Sequence, residues 1–164
     1  YIRSLELLWI NDIAEVCFAY FYEGQLFAYE EDYDHNGILY WLGTDHGKED
    51  KWKNPAMRGL VTLDSSGVGI GNINGLVDRR REDTSNGTNG PMIGRKKNCW
   101  FTIDFGETLR IKPACYTLEH CDQFYGLMRG WNLEGSNDGN EWIVIKRHRN
   151  DKSLSYKKKV RTFR

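Results

Sequence analysis

The C-terminal half of the chain repeats one pattern: a short apolar or aromatic run, then a cluster of glycine, asparagine or aspartate. Trp100 to Phe105 stops at Gly106, and Cys115 to Cys121 forms a second run. Trp131 to Gly135 runs into Ser136-Asn137-Asp138-Gly139, after which Trp142 to Ile145 begins another apolar run. Runs this short, punctuated this often, suit strands joined by turns rather than long helices. Period-two spacing puts Phe101, Ile103 and Phe105 on one face and Trp100, Thr102 and Asp104 on the other. The same spacing groups Tyr116, Leu118 and His120 on one strand, and Trp131, Leu133 and Gly135 on the next. With 17 glycines against 3 prolines, tight turns are cheap throughout. The expected fold is all-β, an antiparallel sandwich or jelly roll. Gly139 is placed for a positive φ in the turn before Trp142, which makes Ser136–Asn140 a hairpin connection rather than a ligand loop.

The N-terminal half is less regular. Residues 5–22 are apolar and aromatic with no clear period, so the segment around Leu5–Ile10 reads equally as strand or helix. Asn36-Gly37 is a turn signal, and Ile38 to Thr44 reads as a short strand after it. Lys51 to Pro55 reads as a turn, with Asn54 pushed from helical angles by Pro55. Leu60 to Leu63 reads as another strand, and Ser65 to Gly94 as long surface loops with short elements.

At 164 residues, 40% of them hydrophobic and 13% aromatic, the chain can bury one substantial core. It has no apolar run of about 18 residues, so no transmembrane helix is expected. The formal net charge is zero but unevenly spread. Residues 1–50 carry eleven acidic side chains against two basic ones, and residues 146–164 carry nine basic against one acidic. On one continuous strand Cys115 and Cys121 would lie about 20 Å apart, well beyond the roughly 7 Å a disulfide spans. Reduced cysteines in a cytoplasmic setting, with the nucleus also open, are expected.

Chemistry-bearing patterns are sparse. Gly67 to Gly71 lacks the Lys-Ser/Thr that a phosphate loop needs. Asp32, Asp34 and Asn36 alternate like the start of a calcium loop, but Gly43 stands where such a loop needs its bidentate glutamate. No two cysteines have zinc-site spacing, and no pair of histidines matches a zinc-hydrolase helix. His46 with Asp45 and Asp50 has no positioned nucleophile beside it. Basic runs at Arg79–Arg81, Arg95–Lys97, Lys146–Arg149 and Lys157–Lys159 are balanced by the acidic N-terminal third, which argues against nucleic acid as a partner. No catalytic residue, metal site or cofactor is expected.

Several ordered stretches carry a resemblance. "CWFTIDFG", "PACYTLEHC", "LMRGWNLEGSNDGNEW" and "HRNDKSL" resemble the galactose-binding-like β-sandwich shared by discoidin and coagulation factor type C domains. The nearest likeness is to the intracellular version in large HECT-type ubiquitin ligases and some BTB-domain proteins. "YDHNGILYWLGT" and "WKNPAMRGLVTLDSS" resemble the segment that precedes the strands in the ligase subgroup. The chain departs from that subgroup at Glu119 and Gly130, where Arg and Asn are usual. The resemblance implies a jelly-roll sandwich over 27–156, with 1–26 as an N-terminal extension, linker-derived segment or added strand, and 157–164 as a basic tail. It implies a non-catalytic protein-interaction or substrate-recognition module of a larger intracellular protein. Its partner would be another protein or a neighbouring domain of the parent chain. A carbohydrate or small-ligand module and a structural packing domain are the alternatives. The expected contact residues are Asn36, Trp52, Asn54, Tyr125 and Arg129. For Arg129 two roles stand open: an anionic partner group, or an internal brace.

Overall fold

The computed structural model describes residues 26–68, 71–79, 91, 98–119, 128–155 and 157–164, together with the backbone of 2–5. Its regular structure is mostly antiparallel strand. In chain order the elements are β1 (Ile2–Leu5), α1 (Ile38–Gly43), β2 (Thr62–Ser65), a 3-10 turn (Ile73–Val77), β3 (Trp100–Asp104), β4 (Tyr116–Glu119), β5 (Trp131–Gly135), β6 (Ile143–His148) and β7 (Val160–Phe163). Among the described residues five strands form one sheet in the order β2-β3-β1-β5-β6, and β4 pairs with β7 in a second. Every pairing is antiparallel.

β3 and β5 bury the apolar faces that period-two spacing groups, with Thr102 and Glu134 buried beside them, whereas β4 is buried at all four positions. Phe101, Ile103 and Phe105 are buried together in the core, as their shared face requires. β3 stops where Asp104 accepts the Gly106 N–H at 2.8 Å and Gly106 takes a φ of 79°, a left-handed angle that glycine adopts without strain. Trp131 and Leu133 of β5 face the same core. The β5–β6 connection is an Asp-centred turn. Asp138 Oδ1 accepts the N–H groups of Asn140 and Glu141 at 2.8 and 2.9 Å, and Ser136 Oγ accepts that of Gly139 at 2.9 Å. Gly139 has a φ of 75°, so this stretch is a hairpin turn. Those backbone donors, with Ser136, hold the Asp138 carboxyl below its ordinary range.

One N-terminal segment turns out differently from its expected form. Ile38 to Thr44, read as a strand, is the helix α1. Its apolar residues suit a helix buried on most sides: Ile38, Leu39, Leu42 and Gly43 are all buried, and Trp41 is partly so. Leu39 and Leu42 recur one turn apart, and a run of seven residues cannot by itself separate that from period two. Bonds Trp41 N–H to Gly37 O and Thr44 N–H to Tyr40 O, both 3.0 Å, close the turns. Before the helix the buried Asp34 accepts the N–H groups of Glu30 at 2.7 Å and Asn36 at 3.0 Å, which aims the chain into α1. The strand expected at Leu60–Leu63 lies slightly later, at Thr62–Ser65.

The segment 1–26, for which an added strand is one of the expected forms, contains a strand. At Ile2–Leu5 it supplies the middle strand of the larger sheet. Ile2 stands opposite both Ile103 and Gly135, and Leu5 opposite Trp100 and Asn132. β1 therefore joins the β2–β3 pair to the β5–β6 pair.

One core cluster runs from Phe27 and α1 through Leu76 and Val77 of the 3-10 turn to the inward faces of β3, β5 and β7. The indole of Trp52 covers α1 at Gly43, where an added Cβ would meet Trp52 Nε1 at 2.1 Å and Lys53 O at 2.8 Å. Alanine normally favours a helix over glycine by about 1 kcal/mol. Here overpacking opposes that gain, and it costs roughly 1–3 kcal/mol in filled cores. Gly43→Ala is therefore expected to lower the denaturation midpoint. A variant as stable as the parent, or more so, would show that Trp52 does not close on the helix.

Candidate functional site

Among the described residues a hydrogen-bonded series of polar side chains lies between the two sheets. Trp131 on β5 donates its indole N–H to the Tyr116 hydroxyl at 2.9 Å. That hydroxyl lies 2.7 Å from Nε2 of His148, on β6. His148 Nδ1 lies 2.7 Å from Oδ2 of Asp151. Asp151 in turn accepts the backbone N–H of Ser153 at 2.8 Å and its hydroxyl at 2.5 Å. A carboxylate only accepts, so Nδ1 carries the proton; in the neutral ring Nε2 then accepts from Tyr116.

Aromatic rings seal this chain. His148 stacks on Trp131 with centroids 4.0 Å apart and planes 6° from parallel. Phe163 of β7 meets Tyr116, Trp131 and His148 at 5.3, 5.2 and 4.7 Å. Tyr116 sits on β4, so the cluster joins the two-stranded sheet to the five-stranded one. Burial drives the Tyr116 hydroxyl far above its usual range; the Trp131 donor only partly opposes this, and the charge of Asp151 adds to it. For Asp151 burial pulls upward, but the two Ser153 bonds and His148 outweigh it and hold the carboxyl below its ordinary value. A Tyr–His–Asp series resembles a proton relay, yet each end of this one is taken up inside the fold, by an indole and by Ser153. It acts as a brace.

Arg129 supports the same brace. Its Nη1 donates to the carbonyls of Asp151 at 3.1 Å and Leu154 at 2.8 Å, and its own carbonyl accepts the Asp151 N–H at 2.7 Å. Of the two roles open for this residue, the structure contains the internal one, clasping the loop that presents Asp151. In the sequence His148 falls in a basic run and in the stretch "HRNDKSL", neither of which gives it an inward role. Its register opposite Trp131 turns it inward, and only the strand pairing reveals that.

The other expected contact residues lie around α1. Asn36 is half-buried and donates its backbone N–H to Asp34. Trp52, also half-buried, donates its indole N–H to the Leu39 carbonyl at 3.4 Å. Asn54 is buried. Its Nδ2 donates to Asn74 O at 2.9 Å, tying the turn to the 3-10 element, and its Oδ1 accepts the N–H groups of Ala56 and Met57 at 2.9 and 3.3 Å. Tyr125 lies outside the described residues, as do His120, Arg80 and Arg81. Arg79 is drawn inward from its basic run. Its guanidinium donates to the carbonyls of Tyr33 and Asp34 and lies 4.8 Å over the Tyr40 ring, which also stacks with His35 at 4.2 Å. Among the described residues no three His, Cys, Asp or Glu side chains group to hold a metal ion, and no helix is long and apolar enough to cross a membrane.

The brace predicts a pH dependence. A carboxyl held below its ordinary value of 3.8 favours the folded state fully above that value. The contribution fades as pH falls through the lower, folded pKa. Asp151→Asn should therefore be less stable than the parent near neutral pH, with the gap closing in acid. Denaturant midpoints measured across that range test this. A gap independent of pH would mean that the carboxylate charge contributes nothing.

Comparison with known proteins places a similar region inside much longer chains. The chain is 34% identical over 134 residues to the E3 ubiquitin-protein ligase Ufd4 of Drosophila melanogaster, covering 79% of this chain and 5% of that protein. It is 34% identical over 127 residues to the E3 ubiquitin-protein ligase hecd-1 of Caenorhabditis elegans, covering 75% and 4%. A BTB/POZ domain-containing protein of Arabidopsis thaliana is 28% identical over 129 residues, covering 77% and 16%. No protein-family model matches, and no solved structure matches. The chain is thus homologous to a short region, about a twentieth of the length, of two E3 ubiquitin-protein ligases.

Proposed function

We propose that this chain is a non-catalytic interaction module, a galactose-binding-like β-sandwich, within a larger HECT-type ubiquitin ligase. The observation that carries the reading is the pair of ligase relatives, each matched over three quarters or more of this chain but only 4–5% of its own length. A region that small, in a chain that long, suits a part that binds while chemistry happens elsewhere. The internal geometry agrees: Tyr116, His148, Asp151 and Arg129 bond to one another or to nearby carbonyls and hold the sheets together. The module would act by presenting loops and edges of a rigid scaffold to a protein partner in an intracellular setting. The proposed partner contacts are Asn36, Trp52, Asn54, Tyr125 and Arg129, of which Asn36 and Trp52 lie half-buried at α1.

Deleting this region from the full-length ligase tests the proposal. Self-ubiquitylation should persist, while ubiquitylation of a protein captured by the isolated 164-residue chain should fall. Loss of self-ubiquitylation in a folded, soluble deletion variant would contradict a non-catalytic role.

A further inference from the structure

The outward edge of the larger sheet has an uncommon composition. β6 ends the strand order, and among the described residues no strand lies beyond it. Its first three residues are apolar and β-branched, yet Ile143 is 70% exposed, Val144 45% and Ile145 40%. The opposite edge, β2, exposes Thr62 and Asp64 instead. Natural sheets commonly guard an edge with charge, proline or a bulge, because an unpaired apolar strand is a template for another strand. β6 has its bulge at Ile145, where the register with β5 passes from Glu134↔Val144 to Leu133↔Lys146. Its apolar triplet nonetheless stays open to solvent.

The charges around the triplet indicate what covers it. Exposed Glu141 precedes it, and exposed Lys146 and Arg147 follow it. Lys146 Nζ bonds the Arg164 main-chain oxygen and Arg147 Nε bonds Asn132 Oδ1 at 3.3 Å, but neither pairs with an Asp or Glu side chain among the described residues. The edge thus reads acidic, apolar, basic along its length. Turned antiparallel about a two-fold axis, a second copy of this edge brings its Glu141 end against the Lys146–Arg147 end of the first. The two apolar triplets meet in the middle. Opposite charges facing across strands stabilise such a pair, whereas a strand of one charge sign would repel its copy.

We propose that the β6 edge is a self-association surface, through which two copies of this chain join edge to edge. This goes beyond the interaction-module reading and does not depend on it. The joined sheets would bury Ile143 to Ile145 and use the edge that β5 leaves open.

Sedimentation of the chain over a range of concentrations reads the association directly. The parent should pass from the 19.2 kDa monomer toward twice that mass as concentration rises. Glu141→Lys places like charge at both ends of the pair and should remain monomeric. Lys146→Glu combined with Arg147→Glu should do the same. An equimolar mixture of the two variants restores both charge pairs and should recover the doubled mass. Misfolding cannot imitate that recovery. A parent that stays at monomer mass, or variants that associate as the parent does, would overturn the proposal. So would a mixture that stays monomeric.

Discussion

The two sheets are tied together by one hydrogen-bonded series, Trp131 to Tyr116 to His148 to Asp151, buried at its first three members and half-buried at Asp151. A two-stranded sheet such as β4–β7 is marginal alone in water and needs a larger partner to pack on. Apolar burial supplies most of the attraction between the sheets, but it is non-directional. The polar series adds direction. It fixes which edge of Tyr116 meets β5 and β6, and each buried polar group in it has a partner whose loss would leave the other exposed to the full cost of burial. Arg129 and Ser153 belong to the same device, since they hold the loop that aims Asp151 at His148.

Much of this architecture is legible in the sequence, and the limits have physical causes. β3 and β5 are readable because each groups its apolar residues on one face and ends at turn residues, while β4 is readable only as a short apolar run. The Ser136–Asn140 turn is readable because Asp138 and Gly139 each have one favoured use there. α1 is not readable from period alone: a short run buried on nearly all sides has no polar face to betray its pitch. Nor is the place of β1, because pairing with β3 and β5 is a long-range choice that four residues do not encode locally. His148 is hidden by its type: a titratable side chain in a basic run looks like surface, and only the register opposite Trp131 shows its inward role. For Arg129 an internal brace is already one of the two roles the sequence leaves open, and the carbonyls of Asp151 and Leu154 supply its partners.

The same commitments shape what the molecule can offer a partner. Asn54 and Asp34 spend their side-chain acceptors on backbone N–H groups that shape the loops around α1. Asp138 does so in the β5–β6 turn. What remains on the outside is a rigid frame with half-buried Trp52 and Asn36 near the helix and an apolar edge at β6. Such a frame is compatible with a region that matches a short part of long ubiquitin-ligase chains.

The brace between the sheets is tested most directly by a double-mutant cycle on its first bond. Tyr116→Phe, Trp131→Phe and the double variant would be compared with the parent by denaturant unfolding. If the indole and hydroxyl hold the sheets together, the two changes should be coupled by about 1 kcal/mol, within the roughly 0.5–3 kcal/mol seen for residues sharing one network. Changes that simply add, to within about 0.3 kcal/mol, would contradict the account.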